Sequence, residues 1–88
     1  MQILELKSVQ RDDDGLYYRK TYTGAFAVIE LITETVEVPI KFSVEVSPFG
    51  GKTVDLEIDA AKINYPLIPL MTKLKKFILQ EEAEGKLP

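Results

Sequence analysis

Three consecutive aspartates followed by a glycine, Asp12-Asp13-Asp14-Gly15, come closest in this sequence to a divalent-cation loop, because hard cations take several oxygen ligands from a flexible turn. The spacing does not complete such a site. An EF-hand loop alternates its ligands and closes with a bidentate Glu, whereas the closing position counted from Asp12 falls on Thr23. Asp-Gly also suits the positive φ of a tight hairpin turn, so the segment reads as a solvated turn and no metal site is expected.

Carboxylates could also form a general acid/base pair, and Glu45, Asp55 and Glu57 are the nearest candidates. Their alternation with apolar residues puts them on a polar strand face, where charge keeps water and pKa values stay ordinary. Ser8, Ser43 and Ser47 have no histidine to activate them, since the sequence contains no His and no Cys, and Lys73 has no recognisable Ser partner. Gly50-Gly51-Lys52-Thr53 matches the end of a P-loop, but Val46 stands where its first glycine belongs and a strand follows instead of a helix. No catalytic residue and no cofactor are expected, and the chain reads as non-enzymatic.

Binding chemistry is better represented. Leu16-Tyr17-Tyr18-Arg19-Lys20-Thr21-Tyr22 interleaves aromatic rings with cations, the ingredients of a single-stranded nucleic-acid platform along Tyr17, Arg19, Lys20 and Tyr22. Tyrosine is equally a strand residue that packs its ring and wets its hydroxyl. The net charge of −3, from 11 Lys+Arg against 14 Asp+Glu, argues against duplex binding.

The elements that must position these residues follow from periodicity. Val36, Val38, Ile40, Phe42, Val44 and Val46 alternate with polar residues and Pro39, which predicts a strand over 36–46 with one buried face. Residues 53–59 alternate likewise, and Ser47-Pro48-Phe49-Gly50-Gly51-Lys52 supplies the turn of an antiparallel hairpin. Face matching suggests Val46, Val44 and Phe42 opposite Val54, Leu56 and Ile58, which sets Glu45 against Asp55 and Lys41 against Asp59. Pro39 cannot donate to a ladder and predicts a bulged or unpaired stretch.

Nearer the N-terminus, strands are expected over 2–9, with Leu4 and Leu6 on one face and Ile3 and Val9 on the other, and over 16–22. Gly24 then punctuates the chain. Ala25 to Thr33 is an almost continuous apolar run rich in β-branched residues, read as a central strand over 25–33 covered on both faces.

From Leu67 the period changes. Leu70, Met71, Leu74, Phe77 and Ile78 form a helical stripe, giving a helix over 66–83 with Lys73, Lys75 and Lys76 off the stripe. Asn64 is the expected N-cap, Pro69 must lie in the first turn, and Glu81, Glu82 and Glu84 at the negative end predict fraying.

The 88 residues thus read as one domain over 1–88 of α+β class: an antiparallel, meander-like sheet of four or five strands with one C-terminal helix packed on it. A chain of this size can bury about 64% of its unfolded surface. One helix covers one face, so the apolar run leaves Phe26, Val28 and Ile32 as candidates for a protein interface. The expected partner is another protein or a second copy of the chain. No basic leader with an apolar core and no apolar run of membrane-spanning length is present, so a cytoplasmic protein is expected.

Overall fold

The computed structural model describes residues 1–12, 18–59, 61 and 65–88. Its elements are β1 (Gln2–Lys7), β2 (Gln10–Asp12), β3 (Arg19–Glu30), β4 (Thr35–Val46), β5 (Lys52–Ile58) and α1 (Leu67–Ala83). All strands are antiparallel in the order β1-β3-β4-β5, and β2 continues the line of β1 along β3. The α+β meander with a C-terminal helix is therefore the observed architecture.

Strict alternation sends every second residue of β4 inward, and Val38, Ile40, Phe42 and Val44 are all buried. They meet Ala25, Ala27, Ile29 and Tyr22 of β3, Val54 and Leu56 of β5, Ile3 of β1, and Leu70, Leu74 and Ile78 of α1. The Tyr22 and Phe42 rings stack with centroids 4.9 Å apart. Ala25 and Ala27, 1% and 0% exposed, are the small residues among the inward-facing positions of β3, the strand that runs through the middle of the sheet.

Several expectations change in detail. Residues 16–22 and 25–33 are not two strands: β3 runs unbroken from Arg19 to Glu30, and Gly24 (φ +68°) is the site of a bulge within it. The bulge sets the phase. Tyr22 and Ala25 face the same side although three residues apart, because the ladder with β4 shifts register between them. Ser8 at φ +58° marks the matching break between β1 and β2, and its carbonyl oxygen lies against the Gly24 backbone. The apolar run ends at Glu30, and 31–34 form a turn closed by the Leu31 N–H donating to the Glu34 carbonyl at 2.7 Å.

A second register shift lies in β1, between Ile3 and Glu5. It reverses the expected face assignment: Ile3 and Leu6 both pack on the core, while Leu4 is 42% exposed. Period two is the wrong template there because the strand carries one extra residue.

The β4–β5 faces are as expected, but the register is two residues away. Val44 pairs with Val54, Phe42 with Leu56 and Ile40 with Ile58. Asp55 thus lies opposite Ser43, and Lys41 opposite Glu57. The observed register removes the like-charge Glu45/Asp55 pair and gains an opposite-charge one. Its loop is closed by Ser47 N–H to Gly51 O at 2.7 Å, with Gly50 at φ +91°. Pro39 causes no bulge, since the β3–β4 ladder passes through the Phe26–Pro39 pair without a shift. Its carbonyl accepts from Asp59 N–H at 3.3 Å on the β5 side, so its missing donor faces the point where β5 stops.

Helix α1 begins at Leu67 with Pro66 in the N-cap position and no side-chain cap, and Pro69 is its third residue, where no intrahelical donor is needed. The expected N-cap Asn64 lies outside the described residues. Fraying is not what the C-terminus shows. Lys86 N–H donates to Glu81 O at 2.9 Å and Gly85 N–H to Glu82 O at 3.1 Å, with Gly85 at φ +70°, the pattern of a Schellman cap. Lys86 also pairs with Glu81 and Glu84, and Lys52 with Glu82, which offsets the unfavourable charge order.

Burial lifts the Tyr22 phenol above its ordinary pKa of 10.0, with Glu82 adding to the rise and Arg11 opposing it. The folded state therefore keeps this proton after the unfolded chain has lost it. Its contribution to stability is full below pH 10.0 and declines as pH rises through the folded value. Urea midpoints are expected to fall more steeply above that pH in the wild-type protein than in Tyr22→Phe. Parallel curves would assign the alkaline sensitivity to other groups.

Candidate docking groove

The two faces of the sheet differ in chemistry. The face away from α1 carries Glu5 and Lys7 of β1, Arg19, Thr21, Phe26 and Val28 of β3, Glu37, Pro39, Lys41, Ser43 and Glu45 of β4, and Thr53, Asp55 and Glu57 of β5. Its apolar content is a short ridge of Phe26, Val28 and Pro39. Lys7 Nζ donates to Glu37 Oε1 at 2.6 Å across β3, a hydrogen bond that raises the lysine pKa further. Register places this pair over the ridge, Lys7 beside Phe26 and Glu37 beside Val28.

Of the three residues expected to form an interface, Val28 is thus covered, at 9% exposure, and Phe26 is 38% exposed. Ile32 is 99% exposed but projects from the 31–34 turn, next to concavities lined by Met1, Leu31 and Tyr65 and not by Phe26 or Val28. They do not make one patch. The surplus apolar run is explained mostly by alternation: Ala25, Ala27 and Ile29 point to the helix, and the opposite positions are few and partly shielded.

The tyrosine-rich strand is not a platform for bases. Tyr17 lies outside the described residues. Tyr22 is 1% exposed and its ring is stacked on Phe42, so it has no free face. Arg19 and Lys20 are consecutive and point to opposite faces. Arg19 is further held by Ser43, whose Oγ accepts at 3.1 Å, and by Asp55 at 3.8 Å. The carboxylates considered for acid/base chemistry, Glu45, Asp55 and Glu57, all line the solvated face opposite Thr53, Ser43 and Lys41. Asp12 ends β2, and the rest of the acidic turn lies outside the described residues.

A different site emerges from the packing of α1. The helix approaches both edge strands, but more closely β5, where Lys52 bridges to Glu82. A groove of about 240 Å³ is left on the other side, between α1 and β1. Met1, Ile3 and Phe77 give it an apolar floor, and Lys73 and Lys76 stand on its helical wall. These two lysines and Phe77 share one flank of α1 because positions three and four apart are neighbours on a helix. Lys73 Nζ donates to the Met1 carbonyl at 3.0 Å, and neither lysine has a carboxylate partner among the described residues. The floor of the groove adjoins a strand with no neighbour on its outer side among the described strands. Sequence reasoning did not find this site. It classed Lys73 and Lys76 as ordinary off-stripe residues, and only the displacement of α1 toward β5 gives them a groove to face.

The model of one protein family, a family designated by a locus tag with no activity in its name, matches residues 1–82, and the chain belongs to that family. The match takes in the whole sheet and α1 through Glu82. No match to a curated protein or to a solved structure was found. No described helix is long and apolar enough to cross a membrane.

Proposed function

We propose that this domain is a non-catalytic interaction module that docks a protein partner along the β1 edge, beside the groove between β1 and α1. The observation that carries the reading is the coincidence of an unpaired strand edge with an adjoining apolar recess. Strand addition supplies main-chain hydrogen bonds along such an edge, and a neighbouring recess selects side chains. β5, the other edge, carries Asp55 and Glu57, and its side of the helix is closed by the Lys52–Glu82 pair. Work in the cytoplasm, suggested by the cysteine-free composition, is part of the same proposal.

Self-association through Phe26, Val28 and Ile32 is the competing reading, and nucleic-acid binding along Arg19 and Lys20 is a weaker one. Sedimentation equilibrium at micromolar concentration separates the first from docking of a different protein. One chain mass is expected throughout, unchanged in Phe26→Glu. A dimer mass that Phe26→Glu returns to monomer would move the interface to the outer sheet face and overturn the proposal.

A further inference from the structure

We infer that the occupant of the β1–α1 groove is an extended segment of another protein that carries carboxylates and an apolar side chain on the same strand face. This inference rests on the docking reading above and adds the chemistry of the partner. The groove is lined by two lysines and by no carboxylate, in a chain whose acidic residues outnumber its basic ones. A segment added beside β1 turns every second side chain toward α1. There an apolar group meets Phe77 and Ile3, and an acidic group meets Lys73 or Lys76.

The same charges disfavour a second copy of this chain at the site. Two β1 strands paired antiparallel about a two-fold axis would form one continuous sheet, with both helices on the same face. The lysine-bearing flanks of the two helices would then confront each other across the axis, a like-charge arrangement. An acidic, non-identical strand meets no such penalty. The β1 bulge at Leu4 also breaks the regular edge that symmetric pairing needs.

The test is a ¹⁵N chemical-shift titration of the whole chain with short synthetic peptides of Thr-Glu-Thr-Val repeats, and with the same peptides carrying Gln or Lys in place of Glu. The acidic peptide is expected to shift the amides of Gln2–Lys7 and of the helix around Lys73, Lys76 and Phe77. It should bind the Lys73→Glu/Lys76→Glu variant about tenfold more weakly, as the loss of two partly screened ion pairs implies. The lysine peptide should show the reverse preference. If all three peptides shift β1 with equal affinity, docking stands and the acidic partner is overturned. If none shifts β1, both fall.

Discussion

Phe42→Ala is expected to cost about 3 to 5 kcal/mol, the range for a fully buried aromatic truncated to alanine. The ring is 2% exposed and stacked on Tyr22, so its removal opens a cavity and strips a partner from a second buried ring. A domain of this length has a total stability of roughly 4 to 13 kcal/mol, so the variant is expected to melt on the order of 12 °C or more below wild type, or to fail to fold. Phe26→Ala provides the contrast. It removes the same side chain from the same sheet, at the neighbouring strand and the opposite face, where the ring is 38% exposed. Its cost should be about 1 kcal/mol or less, since a partly solvated group leaves no sealed cavity. Paired urea denaturation of the two variants checks the face assignment; similar midpoints would contradict it.

Leu74→Ala is expected to lose about 3 to 4 kcal/mol by the same mechanism. Leu74 is at the middle of the buried triplet Leu70, Leu74 and Ile78, all 0% exposed, through which α1 is attached to the sheet. Ile68→Ala, on a residue 81% exposed, should change stability by less than about 0.5 kcal/mol. Loss of helical circular dichroism ahead of the sheet signal in Leu74→Ala would show that the helix is a separable layer. Coincident transitions are expected instead, because β3 and β4 bury their inner faces only against α1.

Much of this architecture was legible because burial imposes periodicity. The alternation over Val36–Val46 and the helical stripe from Leu70 to Ile78 each name a buried face, and those faces are the ones observed. What was not legible lies wherever one residue is inserted into a strand. The bulges at Leu4 and near Gly24 put Ile3 with Leu6, and Tyr22 with Ala25, at a spacing that fits neither strand nor helix. Reading Gly24 as punctuation followed from that, as did the division of β3 into two strands. The β4–β5 register was missed for another reason: hydrophobic matching alone is satisfied by shifts of two, and cross-strand charge pairs decide between them.

The site was harder to see. Lys73, Lys76 and Phe77 are adjacent on one helical flank, which the sequence does show. Their meaning depends on where the helix axis lies over the sheet, and that is settled by packing at the opposite edge, through Lys52 and Glu82. The tyrosine-rich strand misled for a related reason. Its composition suits base stacking, but alternation buries Tyr22 and separates Arg19 from Lys20.

Strand addition at β1 is most directly tested by amide hydrogen exchange of residues 2–7 with and without the Thr-Glu-Thr-Val peptide. Backbone N–H groups of β1 that point away from β3 have no partner strand in the free protein and should exchange quickly, while those directed at β3 are protected. On saturation with the peptide, the outward amides are expected to become protected while those of β5 remain unchanged. Protection that leaves the outward β1 amides fast, or that appears along β5 instead, would contradict docking at this edge.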